Sequence, residues 1–281
     1  MNKTVFSLIT AFILLTSSHL SAKYKFHINN TSSTRDSSVS NTEKYYHLIK
    51  EFTLGWHDEY ETPYFVLLGK HSNPKMLIHG GMHGDEIAGY LACDTLIKNI
   101  NLLEGTLIVI PRLNIEACRL DRRYINIDLN HAFPGDIGSD IYEFRLAYEM
   151  MWLIDSIKPD IIINLHEALT KYDSQARDDS DKAFGQILIT CVRPYEDILT
   201  NSLYGMNEKI PRQDYKFNIH YYSFHDYSSM DNFIAKFNIK SYTVETYRGF
   251  TLGDRIKLQL TAVLQFMREA GLKYEYPEIK F

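Results

Sequence analysis

Two short runs narrow the folds open to this chain of 281 residues. Thr106–Ile110 reads Thr-Leu-Ile-Val-Ile, and residues 161–165 read Ile-Ile-Ile-Asn-Leu. Neither alternates apolar with polar side chains. A strand with one wet face alternates, whereas a strand covered on both faces reads as a continuous hydrophobic run. Such strands need helices above and below them, reached by long crossover connections. Residues 86–100 supply one helix, with Ile87, Tyr90, Leu91, Leu96 and Ile97 on one broad face. Residues 139–157 and 253–270 read as two more. Further strands are expected at residues 51–55, 60–68, 76–79, 187–191 and 241–245. The expected fold is α/β, a three-layer α/β/α sandwich on a mixed, mostly parallel central sheet.

Composition removes several classes of function. The formal net charge is −5, and there is neither a basic run nor a zinc-finger spacing, so no nucleic-acid partner is expected. Three cysteines, Cys93, Cys118 and Cys191, are too few and too scattered for a disulfide framework, and none sits in a C-x-x-C pair. The 20 tyrosines and 15 phenylalanines read mainly as aromatic core and tyrosine-rich surface.

The N-terminus has the pattern of an export signal. Lys3 precedes an apolar stretch at residues 5–15, broken by Ser7 and Thr10, and small residues follow to Ser21-Ala22. Residues 1–22 are expected to be a signal peptide cleaved near Ala22, which implies a secreted or periplasmic protein. Residues 23–44 read as a polar arm, and 45–281 as one catalytic domain. No later segment reaches about 18 consecutive apolar residues, so no membrane span is expected in the processed chain.

The densest chemical signal is His79-Gly80-Gly81-Met82-His83-Gly84-Asp85-Glu86, between an expected strand and an expected helix. His83 and Glu86 are three apart, so both can reach one point if the loop runs into the first helical turn. An imidazole and a carboxylate suit zinc, and a catalytic zinc takes a third protein ligand and leaves a position open. His166 meets that need, because it ends a buried strand, where open sheets place their sites. His79 could stand behind the ligands or simply end its strand. One Zn2+ per chain is therefore expected on His83, Glu86 and His166.

A carboxylate must also move the proton. Glu245 closes the β-branched run Tyr242-Thr243-Val244-Glu245, where an acidic residue is costly unless paired or working. Glu167 is a rival, but it adjoins His166, and neighbours on a strand point to opposite faces. The segment from 111 to 136 carries Arg112, Arg119, Arg122 and Arg123, a pattern suited to an anionic substrate or a developing oxyanion.

Together these residues resemble the zinc carboxypeptidase superfamily, in its succinylglutamate desuccinylase/aspartoacylase-related branch. The matching pieces are His83-Gly84-Asp85-Glu86, then Arg123-Tyr124-Ile125-Asn126-Ile127-Asp128-Leu129-Asn130, then Phe133-Pro134-Gly135, Asn164-Leu165-His166 and Val244-Glu245-Thr246. They follow the family's order over about residues 60–265. The resemblance implies zinc on His83, Glu86 and His166, and Arg123 at the oxyanion. It also implies Asn130 on the substrate's terminal carboxylate, and Glu245 as general base and then acid. His131 stands where the family has its main carboxylate-clamping arginine. A neutral imidazole grips a carboxylate weakly, which leaves that task to Arg119, Arg122 or Arg193, or points to an amidase that needs no free C-terminus.

The chain is also similar to bacterial murein-peptide-trimming carboxypeptidases. With the export signal, this implies a zinc-dependent carboxypeptidase or amidase acting near the carboxyl end of short acidic peptides. The expected substrates are peptidoglycan stem peptides, or muropeptides, cut at the γ-D-glutamyl-diaminopimelate bond or next to it. The alternatives are an N-acyl amino acid deacylase and a non-catalytic binding protein that kept the fold.

Overall fold

The computed structural model describes residues 48–55, 60–173, 184–194, 196–222 and 229–281. The expected signal peptide and polar arm lie outside them.

The strands are β1 (Leu48–Leu54), β2 (Thr62–Leu68), β3 (Lys75–His79), β4 (Asn101–Glu104), β5 (Thr106–Ile110), β6 (Ile161–Ala168), β7 (Ile187–Thr190), β8 (Asn218–Tyr221), β9 (Lys240–Tyr247) and β10 (Lys273–Glu275). The helices are α1 (Ile87–Asn99), α2 (Ile115–Arg119), α3 (Tyr142–Ile157), α4 (Asp197–Lys209), α5 (Met230–Ala235) and α6 (Leu252–Glu269). Eight strands form one sheet in the order β1-β2-β5-β3-β6-β9-β7-β8, and β10 pairs with β4 alone. The ladders β5–β3–β6–β9 are parallel, as is β7–β8, while β1–β2, β2–β5 and β7–β9 are antiparallel.

Successive strand residues feed two cores. Met76, Ile78, Ile161, Ile163, Leu165, Tyr242 and Val244 pack with Ala92 and Leu96 of α1, Leu199 and Met206 of α4 and Phe266 of α6. Leu77, Ile108, Ile110 and Ile162 pack on the other face, with Leu146, Met150 and Leu153 of α3 and Ile234 of α5. All eight residues of β6 are buried. This is the three-layer α/β/α arrangement that the unbroken hydrophobic runs require.

Boundaries shift for local reasons. The third helix starts at Tyr142 rather than near Ser139, because the Ser139 hydroxyl accepts the Ile141 N–H in a turn that ends in an extended Ile141. β1 starts earlier than expected, at Leu48, and β7 ends at Thr190. α4, α5 and β8 are additional elements. α4 is largely polar and buries only Leu199, Ser202 and Met206, a narrow stripe at helical spacing.

The parallel ladders matter most for function. β3, β6 and β9 run the same way in adjacent positions, so their carboxyl ends meet at one edge of the sheet. In register, His79 lies beside Asn164, Asn164 beside Thr243, and His166 beside Glu245. On β6 and β9, Ile162, Asn164 and His166 therefore face the same side as Ser241, Thr243 and Glu245.

α1 lies very close to β6. A Cβ built on Gly89 would sit 2.8 Å from the Leu165 carbonyl oxygen. In an exposed helix, Gly→Ala gains about 1 kcal/mol in helix propensity. Here the contact with backbone reverses the sign, since overpacking costs about 1–3 kcal/mol. Gly89→Ala should therefore lower the thermal midpoint, by about 2–4 °C per net kcal/mol lost. A midpoint raised above wild type would show that α1 can move off the sheet freely.

Candidate metal centre and active site

The loop between β3 and α1 is laid flat by its glycines. Gly81 has φ +64°, and a Cβ on Gly84 would lie 2.0 Å from the Ala117 backbone carbon. Backbone bonds fasten the loop to the chain after β5: Leu113 N–H to Gly80 O at 2.9 Å and Asn114 N–H to Gly81 O at 2.8 Å. His83 and Glu86 are thereby aimed at the end of β6.

There the three expected ligands converge. His83, Glu86 and His166 are all buried, and one donor atom of each lies within 4.8 Å of the others. His83 Nδ1 is 2.7 Å from Glu86 Oε1, and His166 Nδ1 is 2.8 Å from Glu86 Oε2. The two Nδ1 atoms face each other at 3.2 Å. Two ring nitrogens and a carboxylate turned to a common point suit a borderline-soft divalent cation such as zinc.

The protonation behaviour reflects this concentration of charge. Burial opposes a charged His83 ring. The charge of Glu86 and bonds to Asp128 and Glu86 overcome it and push the pKa up to about 9. Burial likewise opposes a charged Glu86, but His83 and His166 hold its carboxyl well below the usual range.

Asp128, a residue whose role the sequence reading did not assign, organises the rim. Its Oδ1 lies 3.0 Å from His83 Nε2 and accepts the Asn130 N–H at 2.9 Å. Its Oδ2 accepts from Arg123 Nε and Nη2 at 3.2 and 3.1 Å. Burial would raise its pKa, but the bond from His83 and the charges of His83 and Arg123 hold it below the usual carboxylate range. Arg123 also reaches Glu86 Oε1 at 3.4 Å. Glu143, buried in the first turn of α3, clips the same loop: its Oε1 accepts the N–H groups of Ile125 and Asn126, each at 2.9 Å. An acidic residue early in a helix is ordinary, so no sequence signal singled it out.

Glu245 lies beside His166 across the β6–β9 ladder. The residue is half-buried, but its Oε2 is closed off from solvent and has no hydrogen-bond partner. Burial, with the nearby Glu86 charge, pushes its pKa well above the normal range. A carboxyl in that state can both take and return a proton. Glu167 points the other way, as strand alternation requires. Its Oε2 accepts the Ala88 N–H at 2.9 Å, and Arg255 pairs with its Oε1. It thus caps the start of α1, where Glu86 makes no side-chain capping bond. His79 is fully buried at the end of β3 with both ring nitrogens unpartnered, and burial lowers its pKa.

The residues expected to bind substrate separate. Asn130 and His131 sit in a short 3-10 turn directly after Asp128. Arg119, in contrast, forks onto Glu116 of its own helix, Nε to Oε2 at 2.7 Å, and Arg122 is exposed. Arg193 stacks over Tyr221 at 4.1 Å.

Residues 72–209 match the succinylglutamate desuccinylase/aspartoacylase catalytic domain. The resemblance to this family holds. The chain is 33% identical over 98 residues to the N-alpha-acetyl-L-2,4-diaminobutyric acid deacetylase of Halomonas elongata, matching 33% of this chain and 28% of that enzyme. Its fold is similar to that of Csd4 from Helicobacter pylori, described as a D,L-carboxypeptidase. The TM-score is 0.64 and the identity 20%, with 74% of this chain and 53% of Csd4 covered. An aspartoacylase family protein from Mesorhizobium loti aligns with a TM-score of 0.59 at 18% identity, over 82% of this chain and 68% of that one. The chain thus spans about a quarter of the curated relative and half of Csd4.

Asp128 turns the ring of His83 as an outer carboxylate commonly turns a metal-bound histidine, and loss of such a group costs about 10- to 100-fold in metal affinity. Asp128→Asn should weaken zinc binding by that factor in a chelator competition. Unchanged affinity would show that the loop alone fixes the ring.

Proposed function

We propose that this chain is a zinc-dependent carboxypeptidase or amidase that hydrolyses an amide bond near the carboxyl end of short acidic peptides. The preferred substrates are peptidoglycan stem peptides, at the γ-D-glutamyl-diaminopimelate bond or its neighbour. One observation carries the hydrolytic reading: His83, Glu86 and His166 converge within 4.8 Å, with Glu245 in register beside His166.

His83, Glu86 and His166 would hold the zinc, which when bound polarises a carbonyl and acidifies water. Glu245 takes the proton of the attacking water and returns it to the leaving amine. Arg123, anchored by Asp128, presents its guanidinium to the charge that develops on the scissile carbonyl oxygen. In this reading Asn130 binds the terminal carboxylate, helped by His131 and the exposed Arg122. The self-paired Arg119 is left for a more distant acidic group.

The peptide reading draws support from Csd4, which has been solved with a tripeptide and in an mDAP-bound form. The N-terminal pattern adds to it, because export would bring the enzyme to the cell wall. A second reading, N-acyl amino acid deacylation, is favoured by the Halomonas elongata deacetylase.

Metal analysis should find about one zinc per chain in the wild type and in Glu245→Gln, and a loss of zinc in His166→Ala. Glu245→Gln should reduce turnover by about 10²- to 10⁴-fold. Mass spectrometry of defined tri-, tetra- and pentapeptide muropeptides, run beside N-alpha-acetyl-L-2,4-diaminobutyrate and N-succinyl-glutamate, separates the readings. Release of diaminopimelate from the tripeptide, blocked by a chelator, is the expected result. Cleavage confined to the N-acyl amino acids would replace the cell-wall reading with the deacylase.

A further inference from the structure

Asp231 is a fully buried carboxylate that the hydrolytic chemistry does not use. It lies in the first turn of α5 and accepts from Asn164 Nδ2 and Thr243 Oγ1, each at 2.5 Å, and from the Ser241 hydroxyl. These donors belong to β6 and β9, on the sheet face that carries His166 and Glu245. They form the rows directly before the metal row: Ile162 with Ser241, then Asn164 with Thr243, then His166 with Glu245. Asp231 therefore bolts α5 to the floor of the site. A buried carboxylate costs more than an apolar residue of the same shape, and three donors only offset that cost.

The residue before it makes the connection to the cleft. The Met230 N–H donates to Asn130 Oδ1 at 3.0 Å. A backbone N–H can face only the carbonyl end of an amide, so this bond fixes which way Asn130 is flipped. Its NH2 end is turned away from α5 and has no protein acceptor among the described residues. The Asn130 backbone N–H is already held by Asp128. The side-chain orientation is thus set by α5, which Asp231 anchors together with the apolar packing of Met230 and Ile234.

Resting on the carboxypeptidase reading, we propose that Asp231 is a positioning residue: through α5 and the Met230 N–H it holds the Asn130 amide with its NH2 toward the substrate's terminal carboxylate. Because His131 replaces the usual arginine, this amide carries more of the grip, and a wrong flip would present an oxygen to an anion.

The test compares a tripeptide bearing a free terminal carboxylate with its C-terminal amide, using the zinc-loaded full chain. Asp231→Asn places an NH2 against one of the three donors, and Thr243→Val removes a single anchor should the first variant fold poorly. The expected result is a KM raised about tenfold for the free carboxylate, with kcat changed less than about threefold. On the amidated peptide kcat/KM should stay within about twofold of wild type. Asn130→Ala should give the same pattern, and the double variant with Asp231→Asn should show no further loss, the mark of a shared interaction. Hydrogen exchange at the Met230 amide should accelerate in both anchor variants, a readout that needs no substrate.

Equal losses of kcat on both peptides, additive effects in the double variant, or unchanged Met230 exchange would overturn the assignment. If the wild type cuts neither peptide, the functional reading is what fails, and Met230 exchange alone then decides whether Asp231 holds α5 and the amide.

Discussion

The hydrogen-bonded ladder between β6 and β9 is the constraint on which the site depends. It sets His166 beside Glu245, two groups separated by about 80 residues of chain, through backbone pairing rather than through side-chain contact. Every residue of β6 is buried, and a buried strand has no freedom to slide, because its side chains are keyed into cores on both faces. The β3–β6 ladder adds the loop that carries His83 and Glu86. The precision of the site therefore derives from the most rigid part of the molecule.

Around that frame, acidic groups gather. Glu86, Asp128, Glu167, Asp231 and Glu245 crowd the carboxyl ends of three strands. Each except Glu245 is matched with donors: imidazoles for Glu86, an imidazole and a guanidinium for Asp128, Arg255 and a helix N–H for Glu167, an amide and hydroxyls for Asp231. The unmatched carboxyl is the one proposed above to take up and return a proton.

Much of this was legible in the sequence. The unbroken runs of β5 and β6 announced a sheet covered on both faces, and the glycine loop followed by a strand-end histidine announced a ligand set. Strand alternation separated Glu245 from Glu167 before any coordinates. What stayed hidden has identifiable causes. α4 buries only three residues, so its periodicity was drowned by polar neighbours. β8 is an edge strand of four residues with little apolar content. Glu143 and Asp231 look like ordinary acidic residues at helix starts, and only the tertiary fold shows that they reach loops and strands far away in the chain. Arg119 was drawn toward the substrate by the company of its neighbours, whereas in the structure a glutamate one helical turn away holds it.

The divergent fates of His166 and Glu167 carry a consequence for how such a chain can change over time. Adjacent in sequence, one faces the candidate metal centre and the other fastens α1 from behind. Deleting a single residue of β6 ahead of His166 would put Glu167 in its place, presenting an acid where the imidazole belongs and stripping the helix of its cap. Length variation in descendants of this sequence is thereby barred from β6 and channelled into the connections at the rim of the sheet. New specificities can arise there by lengthening or trimming loops, while the central strand keeps a fixed count of residues.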